Sequence, residues 1–163
     1  MTGIERRRLT TKISILSVLA FLSCFSSGAL AAEIVRVKVK AANTRLGPGT
    51  RFEKVWTAPM NYPYQVLKRK GRWLRVRDFD GYQEWIYRPL TDGKPAVVVK
   101  VKKANIRKRP TTKSPITFRA DRGLPFRVLR KKGRWIKVRH ADGDQGWIFE
   151  RLVWGATNAK LRR

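Results

Sequence analysis

Side chains that commonly perform catalysis are scarce in this sequence. His140 is the sole histidine and Cys24 the sole cysteine, and Cys24 lies in the N-terminal segment that we interpret below as an export signal. The mature chain therefore cannot assemble a Cys/His nucleophilic pair or a multi-histidine metal site. His140 corresponds to Asp78 in an internal repeat, which favours a surface position at the end of a strand.

Paired carboxylates are the remaining catalytic possibility, since two of them can act as acid and base in glycoside hydrolysis. Such pairs occur at Asp78/Asp80 and Asp142/Asp144. Each pair brackets an Asp-Gly turn, where an aspartate ordinarily caps the turn through its own backbone. The sequence therefore predicts a protein that is not an enzyme, with no catalytic residue, no metal site and no cofactor.

Aromatic residues that alternate with cations are better supplied. If Leu74 and Val76 face a core, strand alternation places Trp73 with Arg75 and Arg77 on the opposite face. Exposed rings there can stack on sugars or peptide bonds while the cations hold carboxylate or phosphate groups. The resulting ligand-binding candidates are Trp73, Trp85, Tyr87, Arg75 and Arg77, together with Trp135, Trp147, Phe149, Lys137 and Arg139.

An alternative role for the same rings is structural. Curvature and bulges in a small barrel can spoil strict alternation, in which case some of these rings close the ends of the core. We favour this structural role for Trp85 and Trp147. For Trp73 and Trp135 both roles stay open.

Charge is the strongest compositional signal. The chain has 38 Lys and Arg residues against 11 Asp and Glu, a formal net charge of +27, whereas small soluble domains ordinarily carry roughly 2 to 8 charges of either sign. So one-sided an excess implies an anionic partner. The predicted electrostatic contacts form two clusters, Lys68, Arg69, Lys70 and Arg72 in one and Arg130, Lys131, Lys132 and Arg134 in the other.

The N-terminal segment predicts export. Arg6 to Lys12 supply a basic start, Ile13 to Phe25 an apolar stretch and Ala29-Leu30-Ala31 a cleavage site, the three parts of a secretory signal peptide. We predict a helical signal at residues 1–31 and a periplasmic or cell-wall location. Membrane attachment is expected only through an uncleaved signal or through lipidation at Cys24.

An internal repeat sets the domain organisation. Shifting the sequence by 62 residues superposes Val35–Leu90 on Val97–Leu152 without a gap, and nearly half of the positions are identical. Such a match indicates duplication of one folding unit. The predicted divisions are a first domain at residues 34–91, a linker at 92–96, a second domain at 97–153 and a basic tail at 154–163.

Apolar residues within each unit recur with a period of two. The stretches 35–40, 74–77 and 136–139 alternate apolar and basic residues, which is typical of half-buried strands. Asp80-Gly81 and Asp142-Gly143 lie between such runs and predict tight hairpin turns. We therefore predict an all-β protein with two tandem small barrels of five to six short strands each.

Several motifs in each repeat resemble the bacterial Src homology 3 (SH3) domain. Asn43-Thr44-Arg45 and Gly47-Pro48-Gly49-Thr50 match the opening of that family's pattern, and Gln83-Glu84-Trp85-Ile86 matches its close, with Glu84 replacing the usual glycine. The second copy keeps Asn105-Ile106-Arg107 and Gly146-Trp147-Ile148 but has Arg109-Pro110-Thr111-Thr112 in the loop. The two loops are therefore expected to differ in shape.

The resemblance implies an SH3-like barrel, an extracytoplasmic setting and attachment to peptidoglycan or cooperation with wall-modifying enzymes. The leading function is then a non-catalytic module that binds peptidoglycan or another anionic wall polymer through two basic, aromatic-bearing barrels. An adaptor for a wall-modifying enzyme or another envelope protein is the alternative. Nucleic-acid binding is a third possibility, which the charge permits and the export signal disfavours.

Overall fold

The computed structural model describes residues 32–156. The predicted signal at 1–31, with its cleavage and lipidation sites, lies outside the described residues, as do the last seven positions of the predicted tail. The described residues belong to one compact unit. No helix within 32–156 has the length and hydrophobicity that a membrane crossing requires.

Strands dominate the described chain, and they form two antiparallel sheets of seven strands each. The first sheet contains β1 (Ile34–Val37), β2 (Ala41–Arg45), β3 (Lys54–Pro59), β4 (Pro63–Lys70), β5 (Trp73–Arg77), β6 (Gln83–Tyr87) and β7 (Thr91–Asp92). The second contains β8 (Ala96–Val99), β9 (Lys103–Arg107), β10 (Ile116–Asp121), β11 (Pro125–Lys132), β12 (Trp135–Arg139), β13 (Gln145–Phe149) and β14 (Val153–Gly155).

The two sheets have the same topology. Their strand orders are β3-β2-β6-β5-β4-β1-β7 and β10-β9-β13-β12-β11-β8-β14, and a short 3₁₀ turn precedes the last strand of each, at Arg88–Leu90 and Glu150–Leu152. The predicted all-β class and tandem barrels are confirmed. Each sheet has seven strands rather than the five or six predicted. Within the alternating stretch 35–40 the first strand ends at Val37, and after a corner the chain continues as a separate strand, β2. The strand β7, which is only two residues long, is the other addition.

Each sheet curls around its own core. In β5, Leu74 and Val76 are buried while Trp73, Arg75 and Arg77 lie on the outer face, so strand alternation holds here. Inward residues from six strands of the first sheet share one apolar cluster, and the second sheet has a matching cluster. Burying each large aliphatic side chain contributes about 1.5–3 kcal/mol.

The two cores differ around one buried carboxylate. Glu84 on β6 is 3% exposed and accepts hydrogen bonds from Thr44 Oγ1 at 2.5 Å, Trp56 Nε1 at 2.8 Å and the Tyr64 hydroxyl at 3.0 Å. Burial, followed by the adjacent Glu84 carboxylate, raises the pKa of Tyr64. The equivalent residues of the second barrel are Gly146, Ile106, Phe118 and Phe126.

The second barrel needs glycine at the position of Glu84. A Cβ added to Gly146 would lie 2.5 Å from Ile106 Cγ2 and 3.0 Å from the Arg107 carbonyl oxygen. Ile106 therefore fills the space that the Glu84 side chain occupies in the first barrel. The family pattern usually has glycine at this position. Gly146 in the second barrel and Glu84 in the first each fit the side chains that surround them.

The barrels contact each other through their terminal strands. Val98 on β8 belongs to the first barrel's core cluster, and Trp154 on β14 packs against that cluster. Arg122, in the turn after β10, pairs with Asp80 and lies with its guanidinium 4.9 Å from the Phe79 ring centroid. Trp154 and Gly155, the first part of the predicted tail, thus lie in the second sheet and at the contact between barrels.

The aspartates singled out as a possible acid and base lie in turns. Asp78 Oδ1 accepts hydrogen bonds from the backbone N–H groups of Asp80 and Tyr82, both at 2.9 Å. Gly81 at the tip of the turn has φ +94°, a conformation that glycine adopts without steric cost. Burial raises the pKa of Asp78, although its backbone hydrogen bonds oppose the shift. These contacts agree with a turn-capping role for Asp78.

Candidate functional site: an aromatic groove on each barrel

The outer face of the first barrel carries a groove floored by two aromatic rings. Trp73 on β5 lies directly opposite Tyr87 on β6, with ring centroids 5.4 Å apart and planes inclined at 55°. Both rings are half-buried. The groove has a volume of about 630 Å³ and is completed by Ala41, Asn43, Arg45, Gly49, Thr50 and Leu90.

The second barrel carries the same groove at the equivalent positions. Trp135 on β12 lies opposite Phe149 on β13, with ring centroids 5.3 Å apart. Its volume is about 360 Å³, and its other lining residues are Lys103, Asn105, Arg107, Thr112 and Leu152. Lys103 stands where the first groove has Ala41, so the second groove is both smaller and more basic on that wall.

A guanidinium group flanks each aromatic pair. Arg72 lies with its Cζ 5.2 Å from the Tyr87 ring centroid, and Arg134 lies 4.8 Å from that of Phe149. A cation at this distance from a ring face is electrostatically attracted to it. Each groove therefore combines an apolar floor for stacking with a cation that can hold an anionic group.

The two grooves differ in local charge. Glu150 beside the second groove pairs with Lys131 Nζ at 2.8 Å and Arg134 Nε at 3.0 Å. These hydrogen bonds, Lys131 first, lower the pKa of Glu150. The equivalent residue in the first barrel is Arg88. The rim of the first groove thus has an arginine where the second has a carboxylate.

The arginine of each Asn-x-Arg motif holds the loop beside its groove. Arg45 Nη1 donates to the Phe52 carbonyl oxygen and Arg107 Nη1 to that of Ser114, both at 2.7 Å. Arg45 and Arg107 are not among the residues predicted to bind a ligand, although the Asn-x-Arg motif that contains them was noted. Their pairing partners on β6 and β13 are distant in the chain, so the proximity depends on sheet topology.

The loops beside the two grooves are built differently. A Cβ on Gly47 would lie 2.3 Å from the Phe52 ring, so this glycine permits the close packing of loop and ring. In the second barrel Arg109 replaces Gly47 and Ser114 replaces Phe52, and Ser114 Oγ accepts a hydrogen bond from the Arg109 N–H at 2.9 Å. This difference agrees with the expectation from the two sequences.

The other two predicted tryptophans do not line the grooves. Trp147 is 5% exposed, and Arg130 covers it with its Cζ 5.1 Å from the ring centroid. Trp85 is half-buried on the middle of β6, opposite Arg75 on one side and Arg45 on the other. Trp85 is thus as half-buried as the groove residue Trp73, whereas Trp147 is buried.

The remaining predicted cations lie around the grooves rather than in them. Arg77 donates to Gln65 Oε1 at 2.7 Å and Arg139 to Gln145 Oε1 at 3.2 Å. Lys137 shares a basic recess with Trp147, Arg130, Lys131 and Lys132. Arg75, Lys68, Arg69, Lys70 and Arg72 are exposed, and Arg69 pairs with Glu33 at 2.6 Å. No group of three His, Cys, Asp or Glu residues within 32–156 is arranged to hold a metal ion.

Two curled sheets that share one topology, each with an aromatic groove on its outer face, define a tandem small-β-barrel protein. The family model for the bacterial SH3 domain matches the chain twice, at residues 38–93 and 100–155. The chain therefore belongs to the bacterial SH3 domain family, and the resemblance drawn from its motifs is confirmed.

Among curated proteins, the chain is similar to the probable cell wall amidase LytH of Staphylococcus epidermidis. The two are 28% identical over 60 residues, which are 36% of this chain and 21% of the amidase. The similarity thus spans about a fifth of that relative's length.

Solved structures with a partial likeness include NlpC2 from Trichomonas vaginalis, at 15% identity and a TM-score of 0.35, covering 76% of this chain and 48% of that one. An NlpC/P60 family protein from Bacillus cereus is 13% identical with a TM-score of 0.35, covering 77% of this chain and 57% of that one.

Proposed function

We propose that this protein is a non-catalytic binding module of the bacterial cell envelope that recognises peptidoglycan or another anionic wall polymer. The observation that carries the proposal is the repeated groove, in which a tryptophan and a second aromatic ring lie 5.4 Å apart in one barrel and 5.3 Å apart in the other. The cell wall amidase among its relatives supports a wall-associated role.

Two features of the protein contribute to recognition, the stacking of groove rings and the net positive charge. Stacking of Trp73 and Trp135 on sugar or peptide faces supplies selectivity, because ring contact depends on the shape of the ligand. The net charge of +27 supplies long-range attraction to a polyanion, which salt weakens. Since both grooves belong to one chain with a short connection, simultaneous engagement of one polymer raises the overall affinity.

Retention on purified peptidoglycan across a salt series tests the proposal. We expect the purified protein to stay bound at roughly 0.3 M salt, where simple ion attraction is heavily screened, and to bind DNA only at lower salt. Trp73→Ala and Trp135→Ala together should weaken retention by about tenfold or more, as loss of a central aromatic contact does.

Tyr82→Ala is the matched control for this experiment. Tyr82 is an aromatic residue that is 73% exposed and lies in the β5–β6 turn away from both grooves, so its removal should leave retention unchanged. Equal, salt-labile binding to peptidoglycan and DNA would contradict the proposal, because it would show only the attraction of a basic protein for polyanions.

An adaptor for a wall-modifying enzyme is the second candidate. It is favoured by the similarity of one repeat-length segment to a probable cell wall amidase, which indicates that related sequence occurs within an enzyme of the wall. Co-purification of such an enzyme that survives digestion and removal of wall material would favour this function over direct polymer binding.

A further inference from the structure

A second, strongly basic cleft lies where the two barrels meet. It has a volume of about 210 Å³ and is lined by Arg36, Lys38, Met60, Asn61, Arg127, Arg139, His140 and Ala141. The first four of these residues come from the first barrel and the last four from the second. None of them lines either aromatic groove, so the cleft is a separate site.

Two arginines in this cleft face each other without a compensating acid. Arg127 on β11 lies directly opposite Arg139 on β12, and like charges so placed destabilise a sheet. Among residues 32–156, neither has a carboxylate within 4.0 Å. The two positive charges therefore have no balancing carboxylate among the described residues.

The equivalent pair of residues in the first barrel has no repulsion between like charges. There Arg77 lies opposite the neutral Gln65 and donates to its Oε1 from Nε at 3.2 Å and from Nη2 at 2.7 Å. The second repeat has Arg127 where the first has Gln65, and His140 where the first has Asp78. Both differences make the cleft side of the second barrel more positive.

Two residues at the back of the cleft are buried and hydrogen-bonded. The Arg36 side chain is 9% exposed and pairs with Asp92 Oδ1 at 2.8 Å, and its Nη1 donates to Asn61 Oδ1, also at 2.8 Å. Asn61 is itself 5% exposed. The charge of Arg36 is thus balanced within the protein. Lys38 and Arg127 are exposed and remain to act on a ligand, as do the N–H groups of Arg139 other than the one that donates to Gln145. His140 Nδ1 lies 3.1 Å from a carboxylate oxygen of the exposed Asp142.

We propose that this cleft binds a phosphate group. Phosphate carries more negative charge and more acceptor oxygens than a carboxylate, so it can accept from several converging cations at once, and guanidinium groups match its geometry. The cleft is smaller than the roughly 300–1,000 Å³ pockets that enclose whole ligands, so it holds the charged group of a ligand whose remainder lies outside.

Titration with inorganic phosphate at constant ionic strength, followed by backbone NMR, tests this site. We expect saturable shifts at Arg127, Arg139 and His140, and no comparable saturation with acetate. Arg127→Gln, which copies Gln65 of the first barrel and should fold, is expected to weaken phosphate binding by about tenfold, the effect of losing one charge-assisted contact.

Arg119→Gln is the matched control, since it removes the same charge from an exposed position of the second barrel and should change affinity less than about twofold. Equal weakening by the two variants, or equal binding of acetate and phosphate, would overturn the proposal. Trp73→Ala should leave phosphate binding intact, which separates a failure of this site from a failure of the groove function.

The source of the phosphate is decided by a second titration. A glycerol phosphate polymer that binds tighter than inorganic phosphate, with the difference lost in Arg127→Gln, would identify an envelope polymer as the ligand. Equal affinity of the two would identify free phosphate. Both outcomes support the site, whereas no shift at Arg127 or Arg139 with either probe would overturn it.

Discussion

A single residue, Glu84, places a hydrogen-bonded carboxylate in the core of the first barrel. Its carboxylate is buried and accepts three hydrogen bonds, from Thr44, Trp56 and Tyr64. A buried charge is tolerated only when such donors replace the lost water. Because Trp56 also packs against the core, the network fixes both polar and apolar parts of the first barrel.

Replacing Glu84 with alanine should destabilise the first barrel. The substitution leaves the Trp56 and Tyr64 donors without an acceptor, each costing about 1–3 kcal/mol if water does not enter. The Thr44 hydroxyl still has the Trp56 carbonyl oxygen at 3.4 Å. We expect a loss of at least about 2 kcal/mol in the free energy of unfolding, measured by urea denaturation. Glu84→Gln, which keeps one acceptor oxygen, should lose less, and an equal loss in the two variants would contradict this account.

At the scale of single residues, the sequence predicted the face on which a side chain lies only where strand alternation decides it. Trp73 and Tyr87 lie on the outer face as alternation required, because the pairing of β5 with β6 has no bulge to interrupt it. Trp147 could not be placed in the same way, since its burial depends on Arg130 from the adjoining hairpin. Arg45 was missed as a groove residue because it reaches the site through the non-local pairing of β2 with β6.

An ion pair between side chains helps to hold strand β7 against strand β1. Arg36 lies opposite Asp92 in their register and forms a 2.8 Å ion pair with it. Burial tends to raise the pKa of Asp92, but the hydrogen bonds from Arg36 and Lys94 outweigh it and lower that pKa. The two-residue β7 is therefore anchored by a side chain as much as by its backbone.

Asp92→Asn should reduce stability at neutral pH. A carboxylate whose pKa is lowered by folding stabilises the protein above its unfolded-state pKa of about 3.9, and this contribution is lost as pH falls through the lower folded-state value. We expect a loss of about 1–3 kcal/mol at pH 7, since Arg36 is left with an uncompensated charge, and a smaller difference at pH 3.

Urea denaturation at the two pH values measures both quantities. Asp121→Asn serves as the control, because its pair with Lys103 is exposed and 4.0 Å long and should contribute less than about 1 kcal/mol. A difference between wild type and Asp92→Asn that is the same at pH 7 and pH 3 would show that charge is not the cause.

The elements themselves were predictable to different degrees. Alternating apolar and basic residues at 74–77 and 136–139 predicted β5 and β12 closely, because each of these strands has one buried face. The corner between β1 and β2 was not visible, since the alternation runs through it without interruption. The length of β7, two residues, is too short to carry any periodic signal.

At the scale of the whole molecule, the repeat predicted two barrels but not their contact. Trp154 has no equivalent aromatic residue in the first repeat, where Asp92 occupies that position. Its packing on the first core and the Arg122–Asp80 pair are specific to the junction. A comparison of repeats reveals what the copies share and cannot reveal contacts that exist once.

Trp154→Ala should uncouple the barrels. Removing a half-buried tryptophan costs less than the 3–5 kcal/mol of a fully buried one, so we expect about 2 kcal/mol from the contact. Calorimetry should then resolve two unfolding transitions where the parent protein shows one. Trp73→Ala, which removes a groove tryptophan, should keep a single transition. One unshifted transition in Trp154→Ala would contradict the proposed coupling.

The unlike cores also bear on how a duplicated chain avoids misfolding. Neighbouring copies of similar sequence can exchange strands during folding, a characteristic error of repeat proteins. If β6 replaced β13 in the second barrel, the Glu84 side chain would enter a space where even a Cβ lies 2.5 Å from Ile106 Cγ2. If β13 replaced β6, Gly146 would leave Thr44, Trp56 and Tyr64 without their acceptor. Exchange of β6 and β13 between the barrels is therefore unfavourable in both directions. The two copies of the fold can thus stay separate despite their similar sequences.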